Sequence, residues 1–310
     1  MEEYIGHNKI IDGFKKRAES NTLSHAHLIV GANGIGKSKV ADIFSSLILN
    51  KELFKANVDS IEYRPKKASI GVDDVREIIE EVNKKPYEGD KKVITIFSGE
   101  KLTIQAQNAL LKTIEEPPKG VFIIILTTSI EIILETIKSR CQIYKLTPLS
   151  NEEIQSYILK KYGNINTIDF SPALSYAGGI PGRLEKFIDD EDLQEARKVV
   201  LELIREINDK NVESILKYEK KLLKYKDEKE ELLGIIEGFI RDIIVYKEVS
   251  DKKFIINSDK KKEIEELVNL MSYKKLNSMI DAVKELRRNL ESNSNFSINL
   301  NIMLMSFLEG

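Results

Sequence analysis

A chain of 310 residues with 42% hydrophobic and 32% charged side chains has the composition of a water-soluble globular protein, and its length favours two or three domains. The formal net charge of -2 supplies no global field for nucleic acid, so any contact with DNA has to come from a local surface. The single cysteine, Cys141, excludes an intrachain disulfide and a cysteine-based zinc site.

The sequence shows neither a signal-peptide pattern nor an apolar run of the ~18 residues that cross a bilayer, which predicts a cytoplasmic protein without membrane contact. Apolar spacing over residues 3–20 predicts a short amphipathic helix. His25 and His27 follow, two positions apart in an extended segment. Because no carboxylate or thiol accompanies them, a hydrogen-bonded structural role is favoured over a metal site.

Residues 28–40 predict a strand, a phosphate-binding loop and a helix. An apolar run leads into Gly31-x4-Gly36-Lys37-Ser38, and a helical pattern follows. Glycines at 31, 34 and 36 let backbone N–H groups turn inward around phosphate oxygens. Lys37 can then reach the β- and γ-phosphates, and the Ser38 hydroxyl suits Mg2+. The pattern indicates nucleotide binding, which by itself does not make an enzyme.

The next elements predict a strand within 57–64, a helix over 72–82 and a buried strand over 92–97. At the end of such a strand, P-loop ATPases place an Asp that holds Mg2+ and a Glu that polarises the attacking water. Here the strand ends in Phe97-Ser98-Gly99, and Glu100 comes late. Phe and Gly cannot bind a metal and Ser98 is a weak neutral ligand, so we expect the acids of hydrolysis to be missing.

A helix is predicted from Leu102 to the stop at Pro117-Pro118, followed by an apolar strand over 121–127. A helix or turn over 131–137 leads to Ser139-Arg140-Cys141 and to a last strand over 142–146. Strands that alternate with helices predict a doubly wound parallel sheet with its ligand at the carboxyl edge.

Thr147-Pro-Leu-Ser150 marks a boundary, after which the chain is helical. Ser150 and Glu153 have capping-box spacing, and residues 178–182 break the helical pattern. Apolar stripes over 189–310 predict one helix after another. The charge run 217–231 has mixed signs and predicts a solvated helix face with i,i+4 ion pairs.

Several segments, taken in order, resemble the clamp-loader ATPase family of bacterial DNA polymerase III: Leu23–Leu28, the phosphate loop, Asn108–Pro118, Leu126–Thr128 and Ser139–Cys141. The motif match covers residues 1 to about 190. The resemblance implies an α/β AAA+ P-loop core, a parallel sheet with flanking helices, in residues 1–146. It further implies a small helical lid domain in 147–192 and an all-α oligomerising collar in 193–310.

Within this family the chain is most similar to the delta prime class, because it lacks the Asp-Glu pair of the motor subunits but keeps Arg140. The resemblance implies a non-hydrolysing subunit that completes the ring and offers Arg140 in trans as an arginine finger to the ATP of a neighbouring motor subunit. Expected partners are the tau/gamma and delta subunits, the beta sliding clamp and, through the assembled complex, primer-template DNA. The expected ligand is ATP or ADP with Mg2+, without zinc. The nucleotide-binding residues are then Gly31, Asn33, Gly34, Gly36, Lys37, Ser38, Thr127 and Thr128.

The sequence also fits other interpretations. The chain could be an active tau/gamma-like ATPase motor in which Glu100 or Glu115 replaces the missing acids, or a scaffold with a vestigial loop. Arg140 could instead pair with a local carboxylate. Gly182 stands where the motors carry a sensor arginine, with Arg183 one residue away.

Overall fold

A computed structural model describes residues 4–53, 55, 57–163, 170–207, 212–291 and 294–309. The chain forms two compact units, Met1–Ile165 with Gly179–Gly182 and Asn166–Gly178 with Arg183–Gly310. The division into 1–146, 147–192 and 193–310 stays a prediction. Among the described residues, none of the helices combines the length and apolar character needed to span a bilayer.

The first unit contains a five-stranded sheet in which every pair of neighbouring strands is parallel. Its strand order is β2-β3-β4-β1-β5. The strands are β1 Ala26–Val30, β2 Ser60–Tyr63, β3 Lys92–Ile96, β4 Val121–Thr127 and β5 Gln142–Lys145. All five residues of β1 are buried, as expected for a central strand that is covered on both faces.

Helices cover both faces of this sheet, which confirms the doubly wound prediction. One apolar cluster joins the sheet to α3 and α4, and the other joins it to α1 and α2. The helices of this unit are α1 Asn8–Glu19, α2 Lys37–Leu49, α3 Val72–Asn83, α4 Ile104–Glu115, α5 Glu135–Lys138 and α6 Asn151–Tyr162.

Element boundaries differ from the prediction where short polar residues intervene. The helix predicted from Leu102 begins at Ile104, because Gly99–Lys101 forms a short 3-10 helix and the Thr103 side chain caps α4 by accepting from the Ala106 amide. The capping box is confirmed: Ser150 Oγ accepts from the Glu153 amide at 3.2 Å, and the Glu153 carboxylate accepts from the Ser150 amide at 2.8 Å.

The second unit is helical throughout its described part. Leucine, isoleucine and valine from its long helices form one continuous core cluster. Its helices, of which the second begins in the short segment assigned to the first unit, are α7 Ser171–Ala177, α8 Pro181–Asp189, α9 Glu191–Glu206, α10 Val212–Leu222, α11 Lys229–Val249, α12 Lys261–Leu270, α13 Tyr273–Glu291 and α14 Phe296–Glu309.

The prediction of i,i+4 ion pairs within the charge run 217–231 is wrong for the residues that the structure describes. Lys217 pairs with Glu206 at 2.9 Å and Lys221 pairs with Glu202 at 3.0 Å. Both partners lie on α9, so the run joins neighbouring helices instead of stabilising one helix along its own face.

Candidate functional site

The phosphate-loop motif lies where the sequence predicts it, between the end of β1 at Val30 and the start of α2 at Lys37. Gly34 and Gly36 have φ angles of 81° and 107°, a backbone region that side-chain-bearing residues rarely adopt. The Gly31 amide donates to the Thr127 carbonyl at 3.1 Å, which ties the loop to the end of β4. The positive end of α2 therefore faces the centre of a fixed loop, an arrangement that suits an anion.

Lys37 lies against the loop that it follows. Its ammonium donates to the carbonyl oxygens of Gly31 at 2.7 Å and Ala32 at 3.0 Å. Burial lowers the pKa of Lys37, and the negative charge of Glu100 acts in the opposite direction. The ammonium is thus already at the loop, where a phosphate oxygen would be a stronger acceptor than a neutral carbonyl.

Two glycines of the loop lie close to neighbouring groups. A Cβ on Gly34 would lie 3.1 Å from the Cα atom of Gly182, and the Gly182 amide donates to the Gly34 carbonyl at 2.9 Å. A Cβ on Gly36 would lie 2.6 Å from the Tyr4 hydroxyl. Burial raises the pKa of Tyr4 to about 12, so a neutral hydroxyl faces the loop.

The end of β3 carries no acidic side chain. Phe97 is buried, and the guanidinium carbon of Arg64 lies 3.5 Å from the centre of its ring. Ser98 follows with a φ of 55° and leads into the 3-10 helix. The strand end itself therefore offers a metal ion no carboxylate. The loop contributes the Ser38 hydroxyl, and the next acidic residue along the chain after β3 is Glu100. Within the described ranges, no group of three or more His, Cys, Asp or Glu side chains could hold a metal.

Thr127 and Thr128 end β4 beside the loop. The Thr127 hydroxyl is buried and donates to the Ser129 carbonyl at 2.9 Å. The Thr128 amide donates to the Glu100 carboxylate at 3.0 Å. The structure thus gathers the predicted nucleotide-binding residues at the carboxyl edge of the sheet, and it adds Glu100 to them. Asn33 is exposed and Ser38 half-buried within the same loop and helix start.

Arg140 lies elsewhere, between the end of α5 at Lys138 and the start of β5 at Gln142. Its guanidinium forms an ion pair with Glu115, and its Nη1 donates to the Thr136 carbonyl at 2.9 Å and to the Ser139 hydroxyl at 3.3 Å. The Arg140 side chain is 39% exposed. The local carboxylate that sequence reasoning left open as a partner is therefore present.

Arg140 and the phosphate loop lie at opposite edges of the sheet. The loop follows the last residue of β1, whereas Arg140 precedes the first residues of β5, and the two strands are parallel with His27 opposite Gln142. Five residues of strand at ~3.3 Å each separate these edges by roughly 16 Å. Arg140 is therefore not placed to serve the loop of its own chain.

Two family models match this sequence. One, described as "DNA polymerase III, delta subunit", matches residues 6–150, and the other, described as "DNA polymerase III, delta subunit, C terminal", matches residues 191–309. Together they span most of the chain. The chain belongs to the clamp-loader AAA+ family.

Curated relatives of this clamp-loader chain include gamma, tau and delta' subunits of DNA polymerase III. A DNA polymerase III subunit gamma from Buchnera aphidicola of Schizaphis graminum is 31% identical over 183 residues, which cover 53% of this chain and 50% of that protein. A DNA polymerase III subunit delta' from Haemophilus influenzae is 38% identical over 112 residues, 36% of this chain and 34% of that protein. The chain thus spans half or less of the length of both relatives.

Structural comparison agrees with this fold assignment. A crystal structure of a DNA polymerase III gamma subunit-related protein from Thermotoga maritima has a TM-score of 0.51 with the clamp-loader chain. The match covers 96% of this chain and 98% of that one at 17% identity, and it therefore supports the fold alone. The AAA+ fold expected from the sequence is confirmed.

The histidines at the start of β1, His25 just before it and His27 within it, have structural contacts in this clamp-loader chain. His25 Nε2 lies 2.6 Å from the Ile114 carbonyl, which fixes the end of α4. His27 is buried and packs edge-on against Phe14. Cys141 is half-buried, and burial raises the pKa of its thiol to about 12, so it is not a thiolate nucleophile at neutral pH.

Sequence reasoning missed Gln107 as a residue of the arginine site. Its buried side chain donates to the carbonyls of Leu102 and Ile132 and accepts from the Leu134 amide at 2.8 Å. It thereby ties α4 to the segment that leads into α5 and Arg140. A glutamine next to the Asn108–Pro118 motif carries no visible signal of this role, since its bonds reach backbone groups 25 and 27 residues away.

Proposed function

We propose that this chain is a non-hydrolysing, delta-prime-type subunit of a DNA polymerase III clamp loader. It completes a ring with tau/gamma-type and delta-type subunits through its C-terminal region 193–310. In that ring it offers Arg140 to the ATP that an adjacent motor subunit binds. The ring loads the beta sliding clamp at primer-template junctions.

One observation carries this proposal: the arginine and the phosphate loop lie at opposite edges of one sheet, and the acid positions beside the loop hold Phe97 and Ser98. A guanidinium at the far edge lies away from its own loop, so a nucleotide phosphate that it contacts would belong to another chain. It is planar and permanently charged, so it can stabilise the negative charge that spreads over the γ-phosphate oxygens. A finger of this kind accelerates hydrolysis on the order of 10^3- to 10^5-fold.

The chain's own loop has a separate role in this proposal. It holds ATP or ADP as a structural ligand, because the inward amides of the loop and Lys37 fit phosphate oxygens. Bound Mg2+ would neutralise phosphate charge, and here Ser38 is the side chain beside Lys37 that can contact the ion. The end of β3 supplies no carboxylate for a water molecule, so the bound nucleotide stays intact.

The test is reconstitution from purified subunits of the same organism. Motor and delta-type subunits are assayed for DNA- and clamp-stimulated ATP turnover with and without this chain. We expect the chain to show no turnover alone and to raise the turnover of the mixture. A chain that hydrolyses ATP alone at motor rates, or one that leaves the mixture unchanged, would refute the proposal.

An active tau/gamma-like motor is the second candidate, and Glu100 is the observation that favours it. Glu100 binds the Thr128 amide and interacts electrostatically with Lys37, so a carboxylate does lie beside the loop. The gamma relative points in the same direction. Glu115 does not support this candidate, because it binds Arg140 at the opposite edge. Turnover by the isolated chain that Glu100→Gln abolishes would establish the motor role.

A further inference from the structure

Arg140 makes three contacts within its own chain. Glu115 contacts Nη2, while the Thr136 carbonyl and the Ser139 hydroxyl accept from Nη1. A guanidinium carries five N–H donors, and these contacts engage at most three of them. The group can therefore be fixed by its own chain and still donate to an oxyanion of another chain.

Glu115 stands at a position where helix stability does not favour it. It is the last residue of α4, and a negative charge at a helix C-terminus interacts unfavourably with the helix dipole. The end of α4 is itself fixed, since His25 binds the Ile114 carbonyl at 2.6 Å and Pro117 follows. A carboxylate on a rigid helix end can hold a partner side chain in one place.

The ion pair is also a poor stabiliser of the fold. The Arg140 and Glu115 side chains are 39% and 42% exposed. Ion pairs with this exposure contribute little to stability because solvent screens them and ordering two long side chains has an entropic cost. The contact does, however, orient the guanidinium. A group that stabilises charge in a transition state has to be oriented before the reaction begins.

We propose that Glu115 is a positioning residue for Arg140, which keeps the guanidinium presented toward the neighbouring subunit's nucleotide. This inference rests on the proposed in-trans role of Arg140. Glu115 touches neither nucleotide nor reacting atoms and acts only through the arginine. It does not compete with the phosphate, because the guanidinium retains donors for both.

The experiment follows a single turnover of ATP hydrolysis by the reconstituted clamp loader. The rate compared between variants is that of the kinetic phase that Arg140→Ala removes. We expect Glu115→Ala to slow this phase on the order of tenfold without changing its dependence on ATP concentration. Glu115→Gln should slow it less, because an amide oxygen still accepts from a guanidinium. Glu116→Ala, which removes the adjacent exposed carboxylate, is the matched control and should leave the rate unchanged.

The double variant Glu115→Ala with Arg140→Ala separates positioning from a structural effect. We expect it to match Arg140→Ala alone, since a residue that acts only through Arg140 has no effect in its absence. A further loss in the double variant, a faster phase in Glu115→Ala, or an equal effect of Glu116→Ala would overturn the inference. If Arg140→Ala itself changes nothing, the proposed function fails first, and the inference fails with it.

Discussion

The guanidinium carbon of Arg64 lies over the ring of Phe97, 3.5 Å from its centre, at the point where a P-loop ATPase needs a carboxylate. Glu62 also contacts Arg64, and its carboxylate accepts from the Arg64 Nε at 2.9 Å. A buried aromatic ring beside a cation offers a metal ion no ligand at this strand end. The chain therefore has the phosphate loop and Lys37 of a nucleotide-binding site, but the end of β3 lacks the acids of hydrolysis.

Removal of Mg2+ tests whether the site lacks a carboxylate that contacts the ion. With Ser38 as the side chain beside Lys37 able to contact the ion, we expect chelation of Mg2+ to weaken nucleotide binding to the isolated chain by less than about tenfold, equivalent to 1.4 kcal/mol. Titration calorimetry with ADP, with and without the chelator, gives the ratio. A much larger loss would mean that a carboxylate does contact the ion.

Replacement of Lys37 tests whether the phosphate loop is the nucleotide-binding site. Its ammonium already reaches the loop carbonyls, and replacing it with Ala removes the charge that a phosphate would pair with. We expect Lys37→Ala to weaken ADP binding on the order of tenfold or more. Lys39→Ala, two residues along the same helix and exposed, is the control and should bind as wild type. Equal affinities for all three chains would place the nucleotide elsewhere or exclude it.

Gly182 tests the backbone contact on the loop. A Cβ there would lie 2.6 Å from the Cα atom of Gly34, so one of the two segments would have to shift. We expect Gly182→Ala to lower the free energy of unfolding by about 1–3 kcal/mol. Gly13→Ala, inside α1 with its nearest atom at 3.9 Å, should instead stabilise by about 0.5–1 kcal/mol. Urea titrations of both variants give the signs, and the same sign for both would contradict the packing argument.

His27 should set part of the acid sensitivity of the first unit. Burial lowers the pKa of His27 to about 4, with the Arg17 charge adding to the effect, and its Nε2 lacks a hydrogen-bond partner among the described residues. The unfolded chain, with a pKa near 6.5, binds the proton first as the pH falls. The contribution of His27 to the free energy of unfolding is therefore fully present above about pH 6.5. It is lost as the pH falls toward 4, by up to about 3 kcal/mol.

The substitution His27→Leu places an apolar side chain among Phe14, Phe44 and Tyr144 and removes the titratable group. Unfolding free energies measured from pH 7 to 4 should fall less steeply in this variant than in wild type. Identical slopes would show that another group controls the loss of stability at acidic pH.

Much of the first unit could be predicted from the sequence because its signals are local. The glycine spacing at 31–36 and the apolar run at 121–127 each report on their own residues, and both lie where they were expected. The absence of acids after β3 could be read directly from Phe97 and Ser98. Parallel strand order then placed loop and threonines at one edge.

The contacts of the arginine site could not be predicted in this way. Glu115 and Arg140 are far apart in sequence, and their pairing depends on how α4 and β5 meet at the amino edge of the sheet. The three bonds of Gln107 likewise depend on the path of the loop before α5. The ion pairs of the 217–231 run were misjudged for the same reason, since α9 lies beside α10 only in the folded chain.

The most direct test of the central claim compares Arg140→Ala with Lys37→Ala in the reconstituted clamp loader. Each complex is loaded with ATP, mixed with clamp and primed DNA, and followed through one turnover. We expect Arg140→Ala to remove the hydrolysis of one bound ATP per complex, whereas Lys37→Ala should leave the full amplitude. Loss of amplitude with Lys37→Ala and none with Arg140→Ala would contradict the in-trans role of Arg140. The chain would then hydrolyse its own ATP and contribute no catalytic group to its neighbour.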